Sequence, residues 1–370
     1  MDLGERKSDL MRPVLENIFQ KREQIFAQGK VKTAVLSTGT AWIHLNRPTS
    51  LNALDMEMAQ ALTTCLLSWK DDHQIKRVVI SGEGRAFCAG GDIRAFYHAK
   101  VGNAPQSRQI IEDYFRAEYS LNTLIAEYPK PYVSLLHGIN MGGGMGISMP
   151  GSHRVLHPEA TLAMPEVSIG FFPDAGATHF LQKCPGLIGR YLSLSGRTIN
   201  AADGMYARLG THFVTAEQWD DFLMALSQTE DHEQTLAQFS ASPPQSQLAE
   251  KHSQIDALFQ GDDLAEILTR CEDTIDSWSQ AVSRTLLSRS PLSLFVTFSH
   301  QQRSQNHAFR ECMALEFSLS QHFVEGHDFT EGVRACLIDK DQKPQWSPRH
   351  WREVRPAQYE SYLTNKHKLF

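Results

Sequence analysis

Short runs of β-favouring or apolar residues alternate with amphipathic stretches through the first two thirds of the chain. The runs predict strands, and apolar residues that recur every three or four positions predict helices. In chain order we expect strands at 33–37 and 41–46, a helix at 52–70, a strand at 77–81, a helix at about 107–127 and a strand at 133–137. This alternation indicates an α/β fold whose function lies in the connections at strand ends.

The pattern changes near residue 240, where Ser242-Pro-Pro-Gln-Ser246 has the composition of a linker. Beyond it helical periods predominate, at 263–271, 274–288, 291–302 and 309–323. Near the start of the chain, Val14, Ile18 and Ile25 form a loose apolar stripe, so residues 1–30 are predicted to be helical. The expected organisation is an N-terminal helical extension at 1–32, an α/β core at 33–240 and a helical C-terminal region at 241–370.

Composition narrows the classes of partner. Apolar residues make up 41% and charged residues 21% of the 370 positions, as is usual for a soluble globular protein. The net charge of −6 disfavours nucleic acid as a partner. The most apolar stretch, 132–149, contains five glycines as well as His137 and Asn140, so it would be a poor lipid-facing helix. We therefore expect neither nucleic-acid nor membrane partners.

Cysteine and histidine usage bears on the compartment and on metal binding. The six cysteines are spread along the chain, which predicts reduced thiols. The first thirty residues include five acids, unlike a mitochondrial leader, and they lack the apolar centre of a secretory one, so we expect a cytoplasmic location. The 16 histidines show no common spacing, and no HExxH, EF-hand or paired CxxC pattern occurs, so no metal site is expected.

Two carboxylates stand out in the stretch 163–174, which carries no other charge. They are Glu166 and Asp174, eight residues apart, and a proline precedes each of them and fixes the local backbone. A carboxylate among apolar residues is costly unless it is paired, hydrogen-bonded or functional. The alternative is that both are helix N-caps, Asp174 above all, because residues 175–180 resemble a first helical turn.

Two glycine-rich segments follow predicted strands, at 82–92 and at 142–144. Glycine lets a ligand approach backbone N–H groups closely, because no Cβ stands in the way. Taken alone, the first segment is best explained as a strand-to-helix turn, and the second fits a structural or a functional role equally well. A base beside bare N–H donors, however, is suited to attack on a carbonyl whose oxygen becomes negative. The combination therefore indicates acyl chemistry.

Glu118 is a third candidate acid. It lies on the apolar stripe of the helix predicted from residue 107, between Phe115 and Leu121. A glutamate on a buried stripe needs a partner, and the pattern alone favours an internal salt bridge, either to Arg116 or to a distant arginine. The alternative is a contact with a hydroxyl group of a substrate.

These features occur in the order found in a known superfamily. The matching segments are Leu45-Asn-Arg-Pro48, Leu51-Asn-Ala-Leu54, Ala86-Phe-Cys-Ala-Gly-Gly-Asp-Ile93, Lys130-Pro131 with His137-Gly138, Met141–Gly146, Met164-Pro-Glu166 and the run from Gly326 to Asp341. On these segments the chain resembles the enoyl-CoA hydratase/isomerase (crotonase) superfamily over about residues 33–355. The resemblance implies a crotonase-like spiral of ββα units at 33–240, followed by the helical C-terminal region.

Within the superfamily, the chain is most similar to the branch that hydrolyses 3-hydroxyisobutyryl-CoA in valine breakdown. The segments that select this branch are Phe172-Pro-Asp174, Ala117-Glu-Tyr119 and Gly326-His-Asp-Phe329. The resemblance implies a thioesterase with a small-molecule acyl-CoA substrate. CoA is then part of the substrate, and no separate cofactor or metal is needed. Assembly into a homo-oligomer is compatible with the sequence.

The resemblance also implies roles for particular residues. The N–H groups of Gly91 and Gly143 match an oxyanion hole for the thioester oxygen. Glu166 matches the catalytic carboxylate, Asp174 its catalytic partner, and Glu118 the contact with the substrate hydroxyl. The residues that match further substrate contacts are Ala53, Leu54, Ala89, Asp92 and Ile93.

One departure from the superfamily pattern separates hydrolysis from hydration. Hydratases of the superfamily carry a second glutamate just after the triple glycine, where this chain has Gly146. Hydration needs two carboxylates to hold one water across a double bond, so this difference disfavours it. Two alternatives stay open: an enoyl-CoA hydratase or isomerase, and a non-catalytic CoA-binding protein that keeps the fold. Retention of Glu118, Glu166 and Asp174 together favours the thioesterase.

Overall fold

The computed structural model describes residues 12–20, 23–102 and 106–370. Their contacts group them into two compact units, each made of three stretches of chain. The first unit takes the residues up to Gly91 with 124–162 and 199–246, and the second takes 92–123, 163–198 and 247–370. The first unit thus ends close to the predicted boundary near 240. Residues 92–123 and 163–198 group with the C-terminal helices, a long-range association that composition along the chain does not reveal.

The described residues form eleven strands in two sheets. The strands are β1 (Glu23–Phe26), β2 (Val31–Val35), β3 (Thr40–Leu45), β4 (Arg77–Gly82), β5 (Ala86–Cys88), β6 (Tyr132–Leu136), β7 (Ile139–Met141), β8 (His153–Leu156), β9 (Thr161–Ala163), β10 (Ile199–Asn200) and β11 (His212–Phe213). The larger sheet has the order β1-β2-β3-β4-β6-β8-β11, antiparallel from β1 to β3 and parallel from β3 onward. The smaller sheet has the order β10-β9-β7-β5.

Seventeen α-helices accompany the strands in the described parts of the chain. They are α1 (Arg12–Phe19), α2 (Met56–Lys70), α3 (Ile93–Val101), α4 (Ser107–Ala126), α5 (Gly143–Ser148), α6 (Ala177–Leu181), α7 (Ile188–Ser195), α8 (Ala201–Tyr206), α9 (Trp219–Gln228), α10 (His232–Phe239), α11 (Gln247–Phe259), α12 (Leu264–Glu272), α13 (Ser277–Leu287), α14 (Pro291–Arg303), α15 (Phe309–Glu325), α16 (His327–Val333) and α17 (Pro356–Tyr362). The regular elements after residue 246 are all helical, which confirms the predicted helical C-terminal region.

The predicted hairpin is confirmed, since β2 and β3 pair antiparallel around Gly39, whose φ is +77°. The helix predicted from residue 52 begins later, at Met56. Leu51 and Asn52 have left-handed backbone angles, and the Asp55 side chain caps the helix by accepting a hydrogen bond from the N–H of Met58. The other predicted strands and helices occur within three residues of their expected bounds.

The prediction that residues 1–30 are helical is only partly correct. Residues 12–19 are helical, and Val14 and Ile18 pack into the core of the first unit. Residues 23–26 instead form β1, which pairs with β2, so the helical prediction is wrong there. Ile25 is 61% exposed and does not belong to the apolar stripe; backbone pairing to β2 outweighs the weak helical period. The first eleven residues of the predicted extension lie outside the described residues.

Two expectations about the chain's chemistry can be compared with the structure. All six cysteines are free thiols, which confirms the prediction of reduced cysteines. In the parts of the chain that the structure describes, each helix is too short or too polar to cross a membrane.

Candidate active site

The two predicted oxyanion-hole glycines follow neighbouring strands of the first unit. Strands β5 and β7 are parallel, with Ala86 opposite Ile139 and Cys88 opposite Asn140. Gly91 comes three residues after β5, and Gly143 is the first residue of α5, two residues after β7. Because carboxyl ends of parallel strands meet at one edge of a sheet, the two glycines lie at the same edge.

The backbone at this edge is close-packed in a way that requires glycine. A Cβ atom on Gly144 would lie 2.3 Å from the carbonyl oxygen of Cys88, so α5 packs directly on the β5 segment. Gly90 has a φ of +104°, and a Cβ there would lie 3.7 Å from the backbone nitrogen of Gly143. The N–H of Gly143 is in the first turn of α5, where backbone donors have no partner within the helix. The glycine cluster therefore serves both close packing and the presentation of an N–H donor.

The predicted substrate-binding loop is tied to the same edge. Leu54 forms a parallel bridge with Gly91, and its N–H donates to the Gly90 carbonyl at 2.8 Å. The N–H of Ala89 donates to the carbonyl of Leu51 at 3.0 Å. Ala53, Leu54 and Ala89 are thus placed beside Gly91 within the first unit. The two remaining predicted contacts, Asp92 and Ile93, are the N-cap and the first residue of α3 in the second unit.

The three predicted acids lie in the second unit together with a fourth. Glu118 is on α4, Glu166 opens a 3-10 turn at Glu166–Ile169, Asp174 precedes α6, and Glu316 is on α15. We call these four residues the acid cluster. Their exposed fractions lie between 0 and 7%, and Asp174 interacts electrostatically with each of the other three. The structure therefore brings Glu118, Glu166 and Asp174 together within the second unit.

Aromatic side chains of the second unit surround this region. Phe115 stacks on Phe171 with ring centroids 5.7 Å apart, and Tyr119 packs edge-on against both Phe115 and Phe317. Further rings extend this apolar environment, including those of Phe96, Phe172, Phe323 and Phe329. Such surroundings disfavour the charged form of a carboxylate, so the pKa of each cluster acid is raised.

Glu166 is the acid with an unsatisfied oxygen. Burial is the main reason that its pKa is raised well above the ordinary value, and the charges of Asp174, Glu118 and Glu316 raise it further, against a hydrogen bond from its own backbone N–H. Among the described residues, Oε2 of Glu166 has no hydrogen-bond partner. A buried acceptor of this kind is expected to receive its hydrogen bond from a water or a ligand.

Asp174 is held by a tyrosine rather than acting as a helix cap. The Tyr119 hydroxyl donates to Oδ2 of Asp174 at 2.6 Å. Burial raises the pKa of Asp174, and the Tyr119 hydrogen bond opposes that rise. The N-cap position of α6 belongs to Gly176, with φ +89°, so the interpretation of Asp174 as an N-cap side chain is wrong. The Asp174 side chain is instead held by the Tyr119 hydroxyl within the acid cluster.

Glu118 does not pair with Arg116. Burial and the charge of Asp174 raise the pKa of Glu118, and a hydrogen bond from Tyr114 lowers it. The Arg116 guanidinium pairs instead with Glu112 at 2.9 Å and lies over the Phe317 ring. Residues two apart on a helix face different directions, which explains why the predicted pairing fails.

Two residues of this region carried no role in the sequence-based prediction. One is Tyr119, which lies inside a matching segment but whose contact with Asp174 spans 55 residues. The other is Glu316, whose carboxylate accepts the N–H groups of Gly176 at 2.7 Å and Thr178 at 3.2 Å and so fixes the segment after Asp174. The sequence pattern could have identified Glu316, because it is a glutamate beside Met313 and Phe317 on the buried side of α15. The same kind of pattern identified Glu118.

As pH rises, the free energy of unfolding should fall less in Glu316→Gln than in wild type. Burial raises the pKa of Glu316 to about 8, above the value of about 4.3 in unfolded chains. The folded protein therefore holds this proton where the unfolded chain has released it, so the stabilisation is complete below pH ~4.3 and is lost as pH rises towards the folded value. Gln keeps an acceptor for Gly176 and does not titrate. Urea unfolding between about pH 5 and 8 should thus show a smaller decline in free energy than in wild type.

The matched control is Glu325→Gln, because Glu325 is an exposed glutamate on the same helix. It should leave the wild-type decline unchanged. A decline in Glu316→Gln as steep as in wild type would show that the Glu316 carboxyl is already ionised in the folded protein.

Comparisons with known proteins show which family the chain resembles. The family model described as enoyl-CoA hydratase/isomerase matches residues 40–363. The 3-hydroxyisobutyryl-CoA hydrolase, mitochondrial, of Xenopus laevis is 38% identical over 335 residues, which cover 87% of this chain and 86% of the relative.

Two solved structures show the fold. An enoyl-CoA hydratase from Rhodobacter sphaeroides 2.4.1 superposes with a TM-score of 0.84 at 36% identity, covering 91% of this chain and 98% of that one. A carnitinyl-CoA dehydratase from Mycobacterium thermoresistibile gives a TM-score of 0.85 at 32% identity, covering 92% and 98%. The predicted fold class is thereby confirmed. From residues 40 to 363, which include both glycines and the whole acid cluster, the chain belongs to the enoyl-CoA hydratase/isomerase family.

Proposed function

We propose that this protein is an acyl-CoA thioesterase that releases CoA from 3-hydroxyisobutyryl-CoA, a step of valine breakdown. The observation that carries the proposal is Glu166, a buried carboxylate with an unsatisfied oxygen, set in one cluster with Asp174 and Glu118. The Xenopus laevis relative, which this chain covers over 86% of its length, is a 3-hydroxyisobutyryl-CoA hydrolase. Both lines support hydrolysis of a thioester.

The glycines at the edge of the smaller sheet would bind the thioester carbonyl. In this role the N–H groups of Gly91 and Gly143 donate to the oxygen as it becomes negative. Each essential donor of this kind contributes about 3–4 kcal/mol to stabilisation of the transition state. Ala53, Leu54 and Ala89, on the backbone segments that adjoin Gly91, would contact the CoA moiety, together with Asp92 and Ile93 at the start of α3.

Glu166 would act in its ionised form by one of two routes. It attacks the carbonyl carbon, forming an acyl anhydride and releasing the CoA thiolate, and water then cleaves the anhydride. Alternatively it takes a proton from a water molecule that attacks the same carbon. Asp174 would position the water or supply the proton that the leaving thiolate needs. Because burial raises the pKa of Glu166, both routes become faster as pH rises and Glu166 ionises. Where Asp174 supplies the proton to the thiolate, the rate falls again once Asp174 is ionised.

Glu118→Ala should lower kcat/KM for 3-hydroxyisobutyryl-CoA much more than for isobutyryl-CoA. We assign the contact with the 3-hydroxyl to Glu118, because it is a buried acid that belongs to the cluster. Loss of a buried hydrogen bond to a charged group costs about 1.5–3 kcal/mol, or roughly 10- to 150-fold in rate. The measurement is thiol release from the two substrates, and Glu112→Ala on the same helix is the control. Equal losses on both substrates would make Glu118 a structural residue.

The proposed activity is tested by incubating the protein with 3-hydroxyisobutyryl-CoA and a thiol reagent. A thioesterase releases CoA in proportion to protein concentration and time. A non-catalytic CoA-binding protein of the same fold releases none, and that result would overturn the proposal.

Enoyl-CoA hydration is the second candidate, because one structural relative is an enoyl-CoA hydratase. The chain itself disfavours it. Position 146 is a buried glycine within α5, whose N–H donates to the Gly142 carbonyl, so this position supplies no carboxylate. Glu166 alone provides one of the two carboxylates that hydration requires.

We also propose that hydrolysis needs no metal or redox cofactor, since the acid cluster and backbone donors supply base, acid and oxyanion contacts. The cytoplasmic location is likewise a proposal, whereas the Xenopus laevis relative is named as a mitochondrial protein. Cell fractionation distinguishes the two compartments. Size-exclusion chromatography would show whether the chain forms a homo-oligomer, with which the sequence is compatible.

A further inference from the structure

Three side chains of the first unit bring ligand atoms together on the larger sheet, apart from the acid cluster. His153 is the first residue of β8, and His232 and Glu233 are the first two residues of α10. Nε2 of His153 lies 3.0 Å from Oε1 of Glu233, and Nε2 of His232 lies 3.4 Å from the same oxygen. One ligand atom from each of the three residues lies within 4.8 Å of the ligand atoms of the other two.

These separations suit a common metal ion. Zinc binds imidazole nitrogen and carboxylate oxygen at about 2.0–2.1 Å in a tetrahedral arrangement, which places the ligand atoms about 3.3 Å from one another. The two nitrogen-to-oxygen distances of 3.0 and 3.4 Å lie on either side of that value. An ion at the centre would therefore be reached by small side-chain rotations.

The two imidazoles are oriented with Nε2 towards this point. Nδ1 of His153 is hydrogen-bonded to the Ser152 hydroxyl at 2.9 Å, the kind of contact that fixes the ring of a metal ligand. Nε2 of His232 is buried and, among the described residues, has no hydrogen-bond partner. A buried nitrogen without a hydrogen bond is the kind of group that an ordered water or a bound ion satisfies, and its place beside a second imidazole and a carboxylate favours the ion.

Neighbouring charges limit how tightly a cation would bind. Arg154 follows His153, but its guanidinium is bonded to the carbonyls of Leu209 and Gly151. Arg77 is bonded to the carbonyl of Glu230. A third imidazole, His212, has its ring centroid 5.7 Å from that of His153. Glu233 is the one acid among the three ligands, and Asp231, the residue before His232, places a further negative charge near that imidazole, against two nearby arginines.

We propose that His153, His232 and Glu233 bind a Zn²⁺ ion that joins the first turn of α10 to β8. Two imidazoles and a carboxylate are a donor set that suits zinc, and three protein ligands leave one position for water. The site stabilises the first unit and takes no part in thioester hydrolysis. It also departs from the expectation, drawn from sequence spacing, that the chain has no metal site, because the ligands come from strand and helix starts 79 residues apart.

Calorimetric titration of the chelator-treated full chain with zinc chloride tests this proposal. Wild type should bind one equivalent, with a matching rise of the thermal unfolding midpoint. His232→Ala and Glu233→Gln should each weaken binding at least tenfold. Glu233 is exposed, so Glu233→Gln keeps the fold intact, which circular dichroism verifies. The control is His73→Ala, at an exposed histidine of the same unit, which should bind zinc as wild type does.

Two results would overturn the zinc site. One is the absence of zinc uptake by wild type. The other is equal binding by wild type, His232→Ala and Glu233→Gln, which would place the ion on other ligands. Because hydrolysis is measured separately, loss of zinc binding in Glu233→Gln with unchanged thiol release would support the site and leave the proposed thioesterase untouched.

Discussion

Glu166→Gln should lower turnover of 3-hydroxyisobutyryl-CoA at least a hundredfold, while affinity for the CoA ester stays within a few fold. Glutamine keeps the volume of the side chain and removes the nucleophile or base. General acid–base groups contribute about 10²–10⁴-fold to rate. We expect a loss of this size at Glu166 because its buried Oε2 has no hydrogen-bond partner among the described residues and so can contact the substrate or a water. Thiol release gives turnover, and competition with a non-hydrolysable CoA analogue gives affinity.

Glu159→Gln is the matched control, because Glu159 is an exposed glutamate seven residues earlier. It should leave turnover and affinity unchanged. Retention by Glu166→Gln of more than about a tenth of wild-type turnover would mean that Glu166 is not the catalytic group.

Asp174→Asn is expected to have the second largest effect, a loss of at least about a hundredfold in turnover. The amide retains an oxygen that can accept the hydrogen bond from Tyr119, so the local structure should persist. It can neither supply a proton to the leaving thiolate nor act as a carboxylate towards water. Thermal unfolding checks that the variant is folded, and thiol release under saturating substrate measures the loss.

Tyr119→Phe separates the charge of Asp174 from its position. The Tyr119 hydroxyl lowers the pKa of Asp174, since it donates to the ionised carboxylate at 2.6 Å. Its removal should therefore shift the limb of the pH–rate profile that reports Asp174 to higher pH, with a smaller loss of maximal turnover than Asp174→Asn shows. An unshifted profile in Tyr119→Phe would show that Asp174 does not titrate in the catalytic cycle.

Local periodicity sufficed to predict the elements that local interactions determine. The hairpin around Gly39 and helix α4 follow from turn chemistry and an apolar stripe, and both are present. Strand β1 was missed, because its stability comes from pairing with β2 rather than from a pattern of its own. Helix α2 was predicted four residues too early, since left-handed backbone angles at Leu51 and Asn52 leave no mark in hydrophobic spacing.

The candidate site divides in the same way. Glu118, Glu166 and Asp174 were recognisable because each interrupts an apolar stretch, and matching segments gave them roles. The residues that hold the cluster in place, Tyr119 and Glu316, act through contacts 55 and 140 residues away in the chain. Such contacts exist only once the fold is formed, so a single sequence does not disclose them.

The most direct test compares two reactions of one wild-type preparation. Thiol release from 3-hydroxyisobutyryl-CoA reports hydrolysis, and loss of the enoyl absorbance of crotonyl-CoA reports hydration. Backbone donors for the thioester oxygen serve both reactions, so we expect either substrate to bind. The two reactions differ in the number of carboxylates they require at the site. With Gly146 in place of the second carboxylate, we predict ready release of CoA and no detectable hydration. Efficient loss of the enoyl absorbance without thiol release would contradict the thioesterase assignment and restore the hydratase.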